Sequence, residues 1–370
     1  MSFIDDYKEI RKCFISFKKR QYFDIFSSAD IFYVIDSFGK KAILTFIDQF
    51  FGTAKGLQVF NNRDGINYVH DVLSTEDEYS VTVGDCDSIV AVFKEKKDLT
   101  DEDIIFLNKM EQKKTLENNL IIYRFKKGYR YTYAKNNEIK IISEYVVFLN
   151  SLIPNEELSV IEAFNENRCV LASFNKERLE YSCIYRSLPY LEIMPNRSPI
   201  NFDFVNEYKD HLYLNEDCYL FTSYLPVAVK GSGIRPLLCY FYFVETGAME
   251  LKYIISDPKD YKNIIYGILD EIFTKIGLPA KMIINNRDLY CILTKTLDEL
   301  NIENTFERDN LRGEEDVSFV VSNMYQKTQD TEMEEEEIIA MFNFLFQALE
   351  KEDTMEYLSD EPKENDSLVS

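Results

Sequence analysis

Apolar positions along the chain follow two rhythms, one near 3.6 residues and one of two residues, and their order lays out the elements. The helical rhythm comes first: Ile10, Phe14 and Phe17 form one stripe over residues 5–19. Two strand-like runs, 31–35 and 42–46, flank the turn-rich Asp36-Ser37-Phe38-Gly39-Lys40 and predict a hairpin. Residues 57–60 predict a further strand that ends at Asn61-Asn62-Arg63-Asp64-Gly65, a turn signal, with a helix following to about Leu73. Residues 88–94 predict another strand. Thr100-Asp101-Glu102-Asp103 has the form of a capping box, in which the Thr100 oxygen accepts from the Asp103 N–H and the acidic first turn suits the helix dipole. That helix is predicted to reach about Lys113. A strand over 120–125 and a helix over 136–152 follow, punctuated by Pro154 and Asn155.

Between residues 156 and 213 the pattern changes to short strands, at 170–174 and 181–185, and a Pro-containing stretch at 189–199 reads as a linker or long loop. This places a domain boundary near residue 155, with the middle segment expected to pack with the second domain. The continuous apolar run from Pro236 to Val244 has the mark of a central strand buried on both faces. Glu245-Thr246-Gly247-Ala248 turns it, and 250–255 returns as its hairpin partner. Over 257–277, Ile264, Ile265, Ile268, Leu269, Ile272, Phe273 and Ile276 recur at helical spacing, and Gly277 and Pro279 end the helix. A strand at 281–285, a helix at 288–300 and a short strand at 302–307 complete an α/β order with a mixed sheet. Glu334-Glu335-Glu336-Glu337 then leads into an apolar helix. The expected layout is α/β: an α+β N-terminal domain over 1–155, a mixed-sheet α/β domain with a C-terminal helix over 156–350, and an acidic disordered tail over 351–370.

Length agrees with two domains, since a single core rarely keeps growing across 370 residues. The 64 acidic against 42 basic residues leave a net charge of −22, which disfavours general nucleic-acid binding. A protein partner is the expectation. Cys13, Cys86, Cys169, Cys183, Cys218, Cys239 and Cys291 show no CxxC spacing and read as reduced, buried thiols. The first residues, Met1-Ser2-Phe3-Ile4-Asp5-Asp6, lack a signal-peptide layout, and uncharged apolar runs fall far short of the ~20 residues that span a bilayer. The expected location is the cytoplasm, without a membrane.

Catalytic motifs are scarce. There is no GxSxG, HExxH, P-loop or GxGxxG, and the two histidines, His70 and His211, have no metal-ligand spacing around them and read as surface or half-buried residues. No cofactor or metal is expected. Two basic-aromatic clusters, Phe17-Lys18-Lys19-Arg20-Gln21-Tyr22 and Phe125-Lys126-Lys127-Gly128-Tyr129-Arg130-Tyr131, combine cations that hold phosphate with rings that stack bases. Lys126, Lys127, Tyr129 and Arg130 are therefore candidate ligand-binding residues, although a helix end and a solvated hairpin tip account for both clusters.

The order from Leu237 to Phe306 resembles part of a ribonuclease H-like or integrase-like fold. That resemblance implies a first-strand Asp, an acid after the fourth strand and a later helical carboxylate, which together hold two Mg²⁺ ions. With the 236–244 run taken as the first strand, its centre is Cys239-Tyr240-Phe241-Tyr242, with no acid, and only Glu245 follows. The second position is Asn285-Asn286. Asp257 and Asp288 look like helix-start residues whose ordinary role is capping. Glu245, Asp257 and Asp288 are the catalytic candidates of a degenerate site. From about Tyr7 to Tyr325 the chain also resembles a group of bacterial proteins built from two domains of unknown function. The matching residues are Gly56-Leu57-Gln58-Val59-Phe60, Leu99-Thr100-Asp101-Glu102-Asp103, Lys127-Gly128-Tyr129 without its Pro, Arg235-Pro236 and Gly277-Leu278-Pro279. The resemblance implies the two-domain layout and no activity. The leading expectation is a non-catalytic interaction or regulatory protein. A metal-dependent nuclease and a binder of phosphate ligands or nucleic acid are the alternatives.

Overall fold

The computed structural model describes residues 2–36, 38–50, 54–73, 86–166, 168–175, 180–186, 197–307 and 331–350. Contacts divide the chain into two units, Met1–Met194 and Pro195–Ser370. The first contains α1 (Phe3–Lys19), α2 (Tyr22–Ile25), β1 (Phe32–Ile35), β2 (Lys41–Phe50), β3 (Ala54–Phe60), α3 (Arg63–Leu73) and β4 (Ser88–Lys94). It continues with α4 (Asp101–Lys109), β5 (Asn119–Phe125), β6 (Thr132–Tyr133), α5 (Asn136–Asn165), β7 (Cys169–Asn175) and β8 (Glu180–Arg186). One sheet joins its strands in the order β6-β5-β4-β3-β2-β1-β7-β8.

The predicted hairpin forms as β1 against β2, with Phe32 opposite Leu44 and Val34 opposite Ala42. Side chains alternate along it. Phe32, Val34 and Leu44 enter a large core with α1, α4 and α5, whereas Tyr33 and Ile43 face Ile66 and Val69 of α3. With no tryptophan available, phenylalanines fill the larger core. Phe26 and Phe46 lie 5.2 Å apart, and Phe17, Phe23 and Phe32 all contact Phe46. Gly56 is required where β3 meets β4, because a Cβ there would collide with the Ala91 carbonyl oxygen.

The boundary expected near residue 155 lies inside an element. α5 passes through Pro154 and bends at Glu156, whose backbone is non-helical (φ −123°, ψ 21°). Proline removes one helical hydrogen bond and crowds the preceding turn, which kinks a helix without ending it when the far side is still packed. Here Val160 and Ala163 carry the buried stripe on. Nor does the middle segment join the second unit. β7 pairs in parallel with β1, Phe32 opposite Val170 and Ile35 opposite Ser173, and β8 adds antiparallel to β7. The first unit therefore needs residues well past 155 to cover the open edge of β1.

The second unit contains α6 (Phe202–Tyr208), β9 (Asp217–Tyr224), β10 (Ala228–Val229), β11 (Leu237–Phe243), β12 (Met249–Ile254), α7 (Tyr261–Lys275), β13 (Lys281–Ile284), α8 (Arg287–Glu299), β14 (Glu303–Phe306), β15 (Glu332–Met333) and α9 (Glu335–Glu350). Its main sheet runs β12-β11-β9-β13-β14, antiparallel on one side of β9 and parallel on the other. The mixed α/β layout expected from the sequence is present, with one correction. The apolar run at 236–244 is the second strand, and the central first strand is β9, whose interrupting Thr222 and Ser223 hide it from a hydrophobicity pattern. Phe241 faces the core formed with α6, α7 and α8, and Tyr240 faces the opposite core, which α9 closes with Ile338 and Phe342. The Phe342 ring meets Tyr253 edge-on at 4.3 Å. The expected disordered tail and most of the 189–199 stretch lie outside the described residues.

Phe241 is fully buried, so Phe241→Ala is expected to destabilise the second unit by about 3–5 kcal/mol in urea denaturation. A loss below about 1 kcal/mol would contradict its place in the core. A fragment ending at residue 194 should unfold cooperatively, and one ending at 155 should not, as followed by circular dichroism. Equal cooperativity would move the boundary back to 155.

Candidate functional site

Open α/β sheets bind ligands beyond the carboxyl ends of their strands, where the chain's crossovers diverge. In the second unit that place is the shared end of β9 and β13. Ile284 stands opposite Leu220, so Asn285 arrives beside Thr222. The Thr222 amide donates to Asn285 Oδ1 at 2.8 Å, the Asn285 amide returns a bond to the Thr222 carbonyl at 3.3 Å, and Asn286 Nδ2 donates to Thr222 Oγ1 at 3.0 Å. Asn286 Oδ1 also caps α8, accepting from the Asp288 and Leu289 amides. Thr222 and Asn285 thus stand side by side at the shared end of β9 and β13, with neutral side chains where the two strands finish. The only acid of β9, Asp217, lies at its other end, opposite Lys281.

The three catalytic candidates are not assembled. Glu245 follows β11, next to the start of β9, where Val244 N–H donates to the Asp217 carbonyl. Asp257 follows β12 and Asp288 opens α8, both at the opposite end of the sheet. The seven-residue β11 separates these ends by roughly 20 Å. Asp257 caps the turn before α7 by accepting from the Lys259 amide at 3.0 Å, and in α8 the capping role falls to Asn286, not Asp288. Among the described residues, no three His, Cys, Asp or Glu side chains come together as a metal site. His211 is exposed, with its ring 5.0 Å from that of Tyr208. The His70 side chain lies outside the described set. Burial pushes the Cys13 and Cys183 thiols up to about 11 and Cys239 to about 12, so they stay protonated at neutral pH.

The basic-aromatic candidates do share one turn. Gly128, at φ 74°, lets the chain reverse between β5 and β6. Lys126 Nζ lies 3.6 Å from the Tyr129 ring centre, the Lys127 amide donates to Asp87 Oδ1 at 2.7 Å, and the Arg130 guanidinium stands 4.0 Å from Glu102. These contacts tie the tip to the protein's own acids and rings. In the other cluster Phe17 and Tyr22 are fully buried, which removes their faces from any base.

Sequence reasoning read Asp103 only as the far half of a capping box. The capping box is present, and Asp103 is also fully buried. Its Oδ2 accepts from Lys94 Nζ at 2.9 Å and from the Thr100 amide at 3.0 Å, and its Oδ1 accepts from the hydroxyls of Tyr123 at 2.8 Å and Tyr133 at 2.9 Å. Burial pushes this carboxyl upward. The Thr100 amide, Lys94 and Tyr123 outweigh that, and hold it below its ordinary 3.8. Burial, with the Asp103 charge added, raises both tyrosines well above 10. The available signal was spacing: Asp103 shares the i, i+3, i+4, i+7 stripe of Phe106, Leu107 and Met110, all buried.

Residues 7–181 match a family described as a domain of unknown function (DUF7309). No curated protein matches the chain. A solved structure of the simian T-cell lymphotropic virus intasome in complex with PP2A regulatory subunit B56 gamma is similar over 31% of this chain and 43% of that one, with 13% identity and a TM-score of 0.23. This chain therefore spans less than half of that chain's length.

Asp103→Asn takes away the carboxylate that pairs with the buried Lys94 ammonium at 2.9 Å. Asp103→Asn is expected to cost about 3–5 kcal/mol in chemical denaturation at pH 7. Because the folded carboxyl titrates below 3.8, its contribution is complete above that pH and is lost as pH falls through the folded value. The gap between wild type and Asp103→Asn should therefore hold steady from pH 7 to about pH 4 and close below it. A gap that closes between pH 7 and 5 would contradict the assignment.

Proposed function

We propose that the protein is a non-catalytic interaction module whose second unit keeps a ribonuclease H-like sheet without its metal chemistry. The observation that supports this most directly is the Thr222–Asn285–Asn286 network. A two-metal centre for phosphoryl transfer needs converging negative oxygens, because each divalent ion is held by several of them and neutralises the charge that develops on the phosphate. Threonine and asparagine offer neutral oxygens, and here those oxygens and amides already satisfy one another. Of the three candidate acids, Asp257 caps the turn before α7, Glu245 stands at the other end of the sheet, and only Asp288 lies in the first turn of α8 beside this network, where a single carboxylate falls short of a two-metal site. The net charge of −22 also opposes the approach of a phosphodiester substrate. A protein partner is the reading most compatible with these features.

Thermal stability measured against rising Mn²⁺ tests the proposal. Binding to the folded state alone would add RT ln(1 + [L]/Kd), about 2.7 kcal/mol at a hundredfold excess over Kd. The expected titration is flat, with no cleavage of single- or double-stranded nucleic acid. A saturable rise that disappears in Asp288→Ala or Glu245→Ala would overturn the proposal.

A further inference from the structure

A groove of about 730 Å³ opens in the first unit between α4 and the start of α5, lined by Glu102, Ile105, Phe106, Lys109, Tyr133 and Lys135 among others. Its volume falls in the range of small-molecule sites. The floor is aromatic and rigid. Phe106 and Tyr133 stack with centroids 5.1 Å apart and planes 22° from parallel. The Tyr133 hydroxyl is fastened to the buried Asp103 carboxylate at 2.9 Å, so the ring cannot swing to fill the groove. Ile105 is 68% exposed at the rim, an apolar side chain left in water within reach of that floor.

The charges around the groove run against the rest of the molecule. In a chain of net charge −22, two lysines flank it, and neither Lys109 nor Lys135 forms an ion pair among the described residues. Glu102, the one acid at the rim, leans toward Arg130 at 4.0 Å. Lys109 in the last turn of α4 is favoured by that helix's dipole. Lys135 has no such reason for its place. It is the N-cap of α5, a position that prefers Ser, Thr, Asp or Asn and where the dipole repels a cation. Glu138, which could have neutralised it, spends its carboxylate on the Lys135 backbone amide at 2.8 Å and on Arg124 at 3.0 Å. A cation held against local preference, beside an exposed apolar wall, is what recognition of an amphipathic anion requires.

We propose that this groove is a binding site for a small amphipathic organic anion, with a flat apolar body over Ile105, Phe106 and Tyr133 and a carboxylate, sulfonate or phosphate head between Lys109 and Lys135. The site belongs wholly to the first unit, so it stands whether or not the second unit's sheet retains chemistry.

The test uses the full chain and two fluorescent probes with the same rings, 8-anilinonaphthalene-1-sulfonate and the neutral N-phenyl-1-naphthylamine. The sulfonate should bind saturably at one site. In Lys109→Gln/Lys135→Gln its affinity should fall about fivefold, since two exposed charge contacts are removed. The affinity of the neutral probe should change by less than about twofold, because its contacts are with the apolar floor alone. Ile105→Ser should weaken both probes. All three substituted side chains are exposed, so the melting temperature should stay at the wild-type value and confirm that each variant is folded. No saturable sulfonate binding, or equal affinity in wild type and the double-lysine variant, would overturn the proposal.

Discussion

Asp103 is a charge taken fully out of water, and such a charge persists only where every acceptor site on it is met. A carboxylate offers about four such sites. Lys94, the Thr100 amide, Tyr123 and Tyr133 supply four donors, two to each oxygen. Each donor comes from a different part of the first unit: the end of β4, the cap of α4, the middle of β5 and the short β6 that precedes α5. The carboxylate therefore acts as a common anchor for elements that hydrophobic contact alone would leave free to slide. It sets where α4 rests on the sheet, and it fixes the Tyr133 ring against Phe106.

The second unit meets the opposite problem. A sheet end designed around several carboxylates is stable only with cations present, since like charges at close range repel. Neutral amides and a hydroxyl carry no such dependence. The Thr222–Asn285–Asn286 bonds close the space between β9 and β13 from within and cap α8 at the same time. This end of the fold is held by its own side chains.

Much of this was legible in the sequence. The β1–β2 hairpin, the capping box at Thr100, the β11–β12 pair and the helices α7 and α8 all lie where periodicity and turn chemistry put them, because local rules and burial agree there. The misplaced features share a cause. β9 carries Thr222 and Ser223 within a central strand, so the polar residues that make the site distinctive also interrupt the apolar run. Pro154 has the local signature of a helix end, and only the tertiary packing of Val160 and Ala163 carries α5 past it. The parallel partnership of β1 and β7 leaves no local mark at all. Asp103 reads as a surface cap until its helical stripe is traced. The groove beside it joins two short segments, 102–109 and 133–137, that only β5 and β6 bring together, and of its parts only a cation at an N-cap, Lys135, stands out in the sequence.

The pairing of Ile35 with Ser173 crosses 138 positions of chain. During synthesis at about 5–20 residues per second, β1 emerges roughly 7–28 s before the strand that will cover it. For that interval the hairpin of β1 and β2 exists with one side open, and it presents Phe32 and Val34, which are fully buried in the finished unit. An uncovered apolar strand edge is a template for pairing with another chain. The nascent protein therefore passes through a period of vulnerability set by topology alone, when slow elongation or a pause before residue 169 would favour association between neighbouring chains over completion of the sheet.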